Sequence, residues 1–447
     1  MKGHNTMTIT YLITGGTTPD GKQTDVAIDA NGTIAGLGAE LTEEAEHHID
    51  ATGKIVFPGL VDLHTHLREP GNDDAETVET GTRAAAKGGF TAVHAMANSN
   101  PVADTAGVVE QVHRLGKAAG WTDVHPVGAV TVGLAGERLA ELSAMHDSAA
   151  HVTMFSDDGM CVWDPVLMRR ALEYVKSFDG FIAQHAQEPR LTEGAQMNES
   201  ALSSELGLAG WPAVAEESII ARDVLLAQHV DSRVHICHVS TAGSVELIRW
   251  AKSQGINVTA EVTPHHLLLT EDYVKTYNPV YKVNPPLRKD SDVHALREGL
   301  ADGTIDTVGT DHAPHTQETK QCEWVVAAMG MTGLETALPV IQHTMVDTGL
   351  LDWHGVARVM SVNPARIYRH KNQGQLTDAG GLVEGAVANL AVYDPQHTFV
   401  VDPAEHASKA TNSPYRGMEL AGQVTDVFYR GHRVVAEAEL TTPYRHS

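Results

Sequence analysis

Eight apolar runs rich in β-branched residues alternate with helix-like stretches through the middle of the chain, and this alternation restricts the fold more than any other feature. The runs cover residues 55–67, 90–98, 123–133, 151–159, 180–188, 233–240, 257–266 and 305–315. The stretches between them are rich in alanine and leucine, as in ETVETGTRAAAKGG and EESIIARDVLLAQHV. Buried parallel strands joined by helices have this pattern. Eight such units predict an α/β fold, a (β/α)8 barrel of the TIM type, over residues 58–370.

The two ends of the chain have a different pattern. Residues 1–57 contain short alternating runs broken by GG, PDG and NG turns, and residues 371–447 contain similar runs. Such runs predict strands joined by tight turns. A chain of 447 residues is also longer than one barrel requires. We therefore expect a small β-rich domain formed from both termini, with the barrel inserted between its two parts.

Composition narrows the possible partners. The 32 basic and 57 acidic residues give a net charge of −25, which argues against binding to nucleic acid or to an anionic membrane. The three cysteines, at positions 161, 237 and 322, have no paired spacing, and no apolar run approaches 18 residues. With no signal-like N-terminus either, we expect a cytoplasmic protein that acts on small molecules. An anionic substrate would then need cations placed locally at its site.

The first run ends in His64 and His66, and Arg68 follows two residues later. Side chains two residues apart in a strand point to the same face, so both imidazoles can reach one point at the end of the run. This spacing indicates a metal-binding geometry with a cation beside it. Because the chain contains 26 histidines, one such pair could equally be structural. The interpretation therefore depends on whether further ligands follow.

Residues with metal-binding side chains recur at the ends of later runs, namely Asp157, Asp158, His185, His238 and Asp311. In a (β/α)8 barrel these ends meet at one face, and the first and last strands are neighbours. Imidazoles and carboxylates in this number suit two zinc ions that share a hydroxide. The DDG sequence could instead form a turn or a helix cap, and its spacing does not decide which aspartate would be the ligand. His235 precedes His238 by three residues, so strand alternation predicts a structural residue on the opposite face.

Six segments together resemble the dihydroorotases of the amidohydrolase superfamily, specifically the bacterial type I enzymes: HTHLREPG, MANSNPVADT, MFSDDG, AEVTPHHLLL, VNPPLR and GTDHAPH. The resemblance extends from about residue 50 to about residue 370. The superfamily shares the His-x-His pair and the final aspartate, whereas HLREPG together with NPPLR points to dihydroorotase. One departure is MANSNP, where many members have MPNTRP. The asparagine at position 98 is retained there, while a proline and an arginine are missing.

The resemblance implies the following site, position by position. Two zinc ions per subunit would be held by His64, His66 and Asp311 on one side and by His185 and His238 on the other, with Asp158 between them. The second aspartate of DDG matches the family ligand, so Asp158 is preferred to Asp157. The substrate carboxylate would contact Arg68, Asn98 and His315. The pyrimidine ring would contact Asn284, and the polar edge of the ring would contact the backbone of Met329 and Gly330. The planar fork of an arginine matches a carboxylate.

The implied activity is the reversible cyclisation of N-carbamoyl-L-aspartate to L-dihydroorotate with release of water, a step of de novo pyrimidine biosynthesis. The implied mechanism uses a hydroxide shared by two zinc ions, with Asp311 as general acid and base. The resemblance further implies a homo-oligomer and a complex with aspartate carbamoyltransferase. The segment from Thr316 to Met331 matches the family only loosely, and we expect it to form a lid.

Two alternatives remain open at this point. Hydantoinases, dihydropyrimidinases and allantoinases share the barrel and act on cyclic amides, but they typically bridge their metals with a lysine and lack the arginine after His-x-His-Leu. No lysine occurs between Lys117 and Lys176, and Arg68 is present, so both features disfavour these enzymes. The second alternative is a catalytically silent partner of aspartate carbamoyltransferase. Such a protein would have lost metal ligands, whereas all six candidate positions are filled.

Overall fold

A computed structural model of the chain describes residues 8–369 and 382–446. Each of the eight predicted runs contains a strand of one parallel barrel, so the predicted fold class is confirmed. We number these strands β1 to β8 in chain order: Leu60–Thr65, Phe90–Ala95, Asp123–Pro126, Met154–Phe155, Phe181–Gln184, Val234–Ile236, Val258–Val262 and Thr307–Val308. The strands are shorter than the apolar runs because each run continues beyond its strand into the loop that carries polar residues.

The barrel is built from two arcs of parallel strands. One arc contains β1 to β3 and the other contains β4 to β8. A parallel bridge between Gly128 and Phe155 joins β3 to β4. A second bridge joins Thr65 to His312, and the His66 N–H donates to the His312 carbonyl oxygen at 2.8 Å. The barrel is therefore closed, and the carboxyl ends of β1 and β8 are neighbours.

Helices connect the barrel strands and cover their outer faces. The first begins at Val78, where the Thr77 hydroxyl accepts from the Thr80 N–H, and its alanine-rich face is buried. The α-helices are Val78–Lys87, Ala106–Ala119, Leu142–Asp147, Pro165–Lys176, Ala201–Leu206, Val214–Val230, Ala242–Ser253, Pro264–Leu268, Asp290–Asp302, Gln317–Lys320, Ala337–Ile341, Trp353–Ala357 and Asn363–Tyr368. Short 3-10 turns are Val132–Leu134, Glu271–Thr276, Pro279–Tyr281, Leu334–Thr336 and Pro403–Glu405, and π-helical segments are Gln342–Val346 and Arg358–Val362.

Strands from both ends of the chain form one nine-stranded sheet outside the barrel. Its strands are Ile9–Thr17, Gln23–Asp29, Ile34–Gly38, Ala45–Asp50, Ile55–Pro58, Leu390–Val400, Glu419–Tyr429, His432–Ala436 and Glu439–Leu440. Strand Leu390–Val400 pairs antiparallel with Ile55–Pro58, which leads directly into β1. The predicted domain boundary between residues 57 and 58 falls inside strand Ile55–Pro58. The predicted boundary between residues 370 and 371 lies outside the described residues.

Two apolar clusters stabilise these parts. The larger one packs the barrel helices against the strands, and the smaller one, with Ile13, Val26, Val56 and Phe428 among its members, lies under the nine-stranded sheet. Two further short strands, Met197–Asn198 and Gly210–Trp211, pair in the long connection after β5. Among the described helices, none has both the length and the apolar character needed to cross a membrane.

Candidate active site

The six predicted metal ligands meet at the carboxyl ends of the barrel strands. One group contains His64, His66 and Asp311, and a second contains Asp158, His185 and His238; the ligand atoms of each group lie within 4.8 Å of one another. In the first group, Asp311 Oδ1 is 3.1 Å from His66 Nε2 and 3.4 Å from His64 Nε2. In the second, His185 Nδ1 is 2.9 Å from His238 Nε2. All six side chains are buried.

Asp158 lies between the two groups. Its Oδ1 atom is 3.2 Å from His238 Nε2 and 3.3 Å from both His185 Nδ1 and His64 Nε2. Its Oδ2 atom is 3.3 Å from His66 Nε2. One carboxylate therefore faces ligand atoms of both groups, which is the geometry that a bridging ligand requires.

Asp157 has a different role from its neighbour. Its carboxylate accepts hydrogen bonds from the Val130 N–H at 2.8 Å, from the Thr131 N–H at 3.0 Å and from the Thr131 hydroxyl. These contacts hold the loop that follows β3. This contact with the loop distinguishes the role of Asp157 from that of Asp158, which the spacing of DDG alone does not.

The residues present fit a pair of divalent cations. His64 Nε2 is buried, and it has no hydrogen-bond partner among the residues that the structure describes. A buried polar atom without a partner costs about 1–3 kcal/mol, and a cation placed between this nitrogen and the nearby carboxylates would offset that cost. Four imidazoles and two carboxylates are ligands of the kind that zinc binds.

Glu261, on β7, orients the His64 ring through its Nδ1 atom. This residue was not predicted from the sequence. His64 Nδ1–H donates to Glu261 Oε1 at 2.5 Å, and His235 Nε2 is 3.2 Å from Glu261 Oε2. Because Nδ1 carries the proton, Nε2 offers its lone pair to the cluster, as in other carboxylate–histidine–metal arrangements. His235 contacts this carboxylate and belongs to neither ligand group. One signal was available: an acidic residue inside the apolar run NVTAEVTPHH.

Two amide side chains orient two other histidines. His66 Nδ1–H donates to Asn98 Oδ1 at 2.9 Å, and His185 Nε2–H donates to Gln187 Oε1 at 2.7 Å. Gln187 Oε1 also accepts from Asn284 Nδ2 at 3.1 Å, so one oxygen joins a candidate metal ligand to a candidate substrate residue. Asn284 Oδ1 is buried without a partner in the described part of the chain, which leaves it free to accept from a ligand. No sequence pattern marks Gln187.

Three site residues adopt the left-handed backbone conformation: φ is 62° at Arg68, 31° at His238 and 47° at Asp311. For residues with a Cβ atom, this conformation costs about 1–3 kcal/mol and persists only where the surrounding structure holds it. Strand alternation ends at each of these positions. The directions of these side chains therefore follow from the folded loops, and a period of two residues does not predict them.

The candidate carboxylate-binding residues Arg68 and His315 lie beside the metal ligands. Arg68 Nε donates to the Pro314 carbonyl oxygen at 3.0 Å, and Arg68 Nη2 is 3.5 Å from His315 Nε2. His315 Nε2–H donates to the Met329 carbonyl oxygen at 2.8 Å. Burial and the charge of Arg68 lower the pKa of His315 to about 3, so its ring is neutral at pH 7. The positive charge on this side of the site therefore comes from Arg68.

The segment 316–331, predicted as a lid, packs on the mouth of the barrel through two buried lysines. Lys320 Nζ donates to the carbonyl oxygens of Lys282 and Ala328, both at 2.8 Å. Lys282 Nζ donates in turn to the carbonyl oxygens of Trp324 and Val325, at 2.7 and 3.0 Å. Each lysine thus fixes a different part of the segment. Both lysines escape prediction from the sequence.

The backbone of Met329 and Gly330 also lies at the site. Gly330 has φ of 142°, and a Cβ atom there would lie 2.7 Å from His315 Nε2, so only glycine fits. The Gly330 N–H already donates to the Lys282 carbonyl oxygen at 3.0 Å. The two carbonyl oxygens each keep a second lone pair for a ligand. The Met329 carbonyl oxygen already accepts from His315 and the Gly330 carbonyl oxygen from Asn412, so a ligand would share these oxygens as a second donor.

The electrostatics of the cluster favour a cation. Burial alone would raise the pKa of Asp311, but the nearby charge of His64 holds it below its usual range. Burial alone would lower the pKa of His64, whereas the carboxylates of Asp158 and Glu261 raise it well above its usual value. The Cys237 sulfur is also close, but burial raises the pKa of its thiol and keeps it protonated. The carboxylates at the centre thus stay ionised, and they attract positive charge, as the raised pKa of His64 shows.

Comparison with known sequences agrees with this geometry. The sequence profile of the dihydro-orotase-like family matches residues 53–244. The dihydroorotase of Streptomyces coelicolor is 65% identical over 431 residues, which cover 96% of this chain and 99% of that protein. The dihydroorotase of Mycobacterium tuberculosis is 54% identical over 413 residues, covering 92% of this chain and 95% of that protein.

Solved structures share the whole architecture. The L-hydantoinase (dihydropyrimidinase) of Arthrobacter aurescens superposes with a TM-score of 0.85 at 26% identity, over 97% of this chain and 98% of that one. The dihydropyrimidinase of Brevibacillus agri has a TM-score of 0.83 at 24% identity over 97% of both chains, a likeness of fold alone. The higher sequence identity, 54% to 65% over more than 90% of the chain, is to the dihydroorotases. This chain belongs to the dihydroorotase family.

Proposed function

We propose that this chain is a dihydroorotase that interconverts N-carbamoyl-L-aspartate and L-dihydroorotate, with release of water on cyclisation, in de novo pyrimidine biosynthesis. The observation that carries the proposal is the position of Arg68 beside two groups of metal-binding side chains. The metal-binding groups suit amide hydrolysis in general, and Arg68 adds a planar cation that suits a carboxylate. Relatives named dihydroorotase, at 54% to 65% identity, support the same activity.

The cofactor that we propose is a pair of zinc ions. One would be held by His64, His66 and Asp311, the other by His185 and His238, with Asp158 shared between them. When bound, divalent ions lower the pKa of water from 15.7 towards about 7 and polarise the carbonyl to be attacked. The buried, unpaired His64 Nε2 atom, judged over the described residues, and the position of Asp158 support this assignment.

The substrate would be held by charge and by amide groups. The net charge of −25 repels an anion at long range, so the carboxylate requires a local cation, which Arg68 supplies. His315 lies beside Arg68, and Asn98 contacts the neighbouring ligand His66. The free Asn284 Oδ1 atom can accept a hydrogen bond from a ring N–H. The carbonyl oxygens of Met329 and Gly330 can accept from another.

Asp311 would move the proton. In hydrolysis, water adds to the ring amide carbonyl, Asp311 accepts a proton from that water, and the proton passes to the ring nitrogen as the C–N bond breaks. In ring closure, Asp311 accepts the proton of the ureido nitrogen, that nitrogen attacks the carbon of the protonated side-chain carboxyl, and Asp311 passes the proton to the carboxyl hydroxyl, which leaves as water. The position of Asp311 supports this role, because its carboxylate is 5% exposed and is held 3.1 Å from His66.

The activity is tested by assaying one zinc-loaded preparation with L-dihydroorotate, N-carbamoyl-L-aspartate, hydantoin and allantoin side by side. We expect turnover of the first two compounds, in opposite directions, and little turnover of hydantoin or allantoin. Activity confined to hydantoin would contradict the proposal and assign the chain to a different cyclic amidase. No turnover of any compound by a protein that holds its metal would also contradict it.

The metal content is tested by elemental analysis of wild-type protein and of two adjacent aspartate variants. We expect two zinc ions per chain in the wild type and a clear loss in Asp158→Asn, because Asp158 contacts both ligand groups. Asp157→Asn is the matched control: it bonds the loop after β3, so it should retain the metal. Full zinc content in Asp158→Asn would contradict the proposal that Asp158 bridges the two ions.

The resemblance also supports three coarser proposals: a cytoplasmic location, a homo-oligomer and a complex with aspartate carbamoyltransferase. Light scattering on the purified protein measures whether it forms a homo-oligomer. Co-migration with added aspartate carbamoyltransferase in the same experiment tests whether the two proteins form a complex. Separate elution of the two proteins at micromolar concentration would contradict that complex.

A further inference from the structure

A buried asparagine from outside the barrel joins the two loops of the carboxylate side. Asn412 lies in the connection between strands Leu390–Val400 and Glu419–Tyr429 of the flanking sheet and is 6% exposed. Its Oδ1 atom accepts from the His315 N–H at 3.1 Å. Its Nδ2 group donates to the carbonyl oxygens of Ala313 at 3.0 Å and Gly330 at 3.1 Å. One amide side chain is thus fully engaged with both loops.

The backbone of Asn412 adds a fourth contact, because its carbonyl oxygen accepts from the Thr332 N–H at 3.2 Å. The two loops also touch each other directly: the Ala313 N–H donates to the Met331 carbonyl oxygen at 2.7 Å. Asn412 therefore closes a small network that sets the distance between residues 313–315 and residues 330–332. Asn412 also lines a cavity of about 690 Å³ together with His315 and Lys320.

The clearance inside this network is small. A Cβ atom on Gly330 would lie 2.7 Å from His315 Nε2 and 2.8 Å from Ala313 Cβ. The Gly330 backbone therefore packs close to the His315 ring, whose Nε2–H bonds the Met329 carbonyl oxygen. His315 in turn is the neighbour of Arg68. The two residues that Asn412 contacts, His315 and Gly330, are thus next to the cation and the carbonyls of the site.

We propose that Asn412 is a positioning residue for the substrate carboxylate, acting through His315 and Gly330. This inference rests on the proposed function. It predicts a selective defect: ligands that carry the carboxylate should lose affinity, whereas the bare pyrimidine ring should not. The metal ligands lie in or just beyond the barrel strands and are not among the four contacts of Asn412, so their zinc should be retained.

The test compares Asn412→Ala and Asn412→Asp with the wild type. Aspartate has the shape of asparagine and keeps the acceptor for the His315 N–H, but it offers oxygen to the carbonyls of Ala313 and Gly330. We expect both variants to raise KM for L-dihydroorotate by about 10-fold or more, the loss of one or two hydrogen bonds, with kcat changed less than 3-fold. Orotate should inhibit the variants about 10-fold more weakly, while the inhibition constant of uracil stays within 2-fold.

Asn389→Asp is the matched control, because Asn389 is also buried and the described contact of its side chain is with the Arg430 N–H in the flanking sheet. It should behave as the wild type. Equal losses for orotate and uracil, or a fall in kcat with unchanged KM, would overturn the positioning role. So would wild-type behaviour of Asn412→Asp, since it would mean that the hydrogen bonds donated to Ala313 and Gly330 do not matter.

Hydrogen exchange of the metal-loaded proteins supplies a readout that does not depend on catalysis. In Asn412→Ala, the amides of Ala313, His315 and residues 330–332 should exchange at least 10-fold faster, and those of the β1 strand should not change. Unchanged exchange in both loops would overturn the inference. If the wild type does not turn over dihydroorotate, the proposed function fails, and the exchange rates alone then decide whether Asn412 holds the two loops together.

Discussion

The two halves of the candidate site are built in different ways. The metal half consists of side chains at strand ends, and three of its histidines are each oriented by one partner: Glu261 for His64, Asn98 for His66 and Gln187 for His185. The carboxylate half consists of loops whose backbones are joined by long side chains. Lys320 fixes the segment 316–331 by two carbonyl contacts, and Asn412 joins it to the loop after β8.

This difference teaches how the chemistry and its specificity are separated. Strands of a closed barrel hold ligands within narrow limits, so the metal half determines whether a reaction occurs. Loops on the same face can change without disturbing the barrel, so the carboxylate half determines which compound is bound. We therefore expect changes in the metal half to reduce metal content or turnover. Changes in the carboxylate half should reduce affinity and selectivity.

The largest effect should come from Asp311→Asn in the metal half. The amide cannot accept the proton, so turnover should fall by about 10²- to 10⁴-fold in both directions of the reaction. Rates of dihydroorotate hydrolysis and of carbamoyl-aspartate cyclisation measure this, with zinc content determined on the same samples. Near wild-type turnover in either direction would refute the role of Asp311 in proton transfer.

In the carboxylate half, Arg68→Lys keeps the charge but loses the planar fork. Hydrogen bonds to charged groups contribute about 1.5–3 kcal/mol, so we expect kcat/KM for dihydroorotate to fall by about 10- to 150-fold, mainly through KM. Zinc content should not change. Arg169→Met, on an exposed helix face, is the control and should match the wild type. A fall in kcat alone would place Arg68 with the metal half.

Glu261→Gln tests the support behind His64. The neutral amide makes a weaker partner for Nδ1–H, and loss of such a partner typically lowers metal affinity by about 10- to 100-fold. Competition with a chelator measures the affinity, and turnover at saturating zinc should recover largely. Glu271→Gln is a control in another buried carboxylate, which bonds Asn198. Unchanged zinc affinity would mean that His64 needs no oriented partner.

The smallest effect concerns stability and pH. Burial, together with the charge of Lys282, lowers the pKa of Lys320 to about 7 from its ordinary 10.5. Between these values the unfolded chain binds a proton that the folded protein does not, so the free energy of unfolding rises with pH across that window. One group contributes at most about 1.4 kcal/mol per pH unit. Lys320→Met should flatten the slope measured by denaturant unfolding from pH 7 to 10; an identical slope would contradict this.

Much of the metal half could be predicted from the sequence. The His-x-His pair at 64 and 66, the strand-end histidines at 185 and 238 and the final aspartate at 311 all lie where the apolar runs end, and the structure brings them within 4.8 Å of one another by group. This worked because alternation within a strand is local, and because the carboxyl ends of all barrel strands share one face. The partners of these residues were not predictable in the same way. Glu261 is 197 residues from His64, and no local pattern relates them.

The sequence by itself determined the barrel, its flanking sheet and the family motif HTHLREPG, because apolar periodicity and strand-end residues are properties of short segments. The spacing of DDG left open which aspartate faces the cluster; the family resemblance favoured Asp158, and the tertiary structure places Asp158 there and Asp157 on the loop after β3. Only the tertiary structure decided that Gln187 joins His185 to Asn284, and that Asn412, 97 residues beyond His315, completes the carboxylate side. These contacts depend on where distant loops meet after the barrel has closed, and on left-handed backbone at Arg68, His238 and Asp311, where strand alternation no longer sets the direction of a side chain.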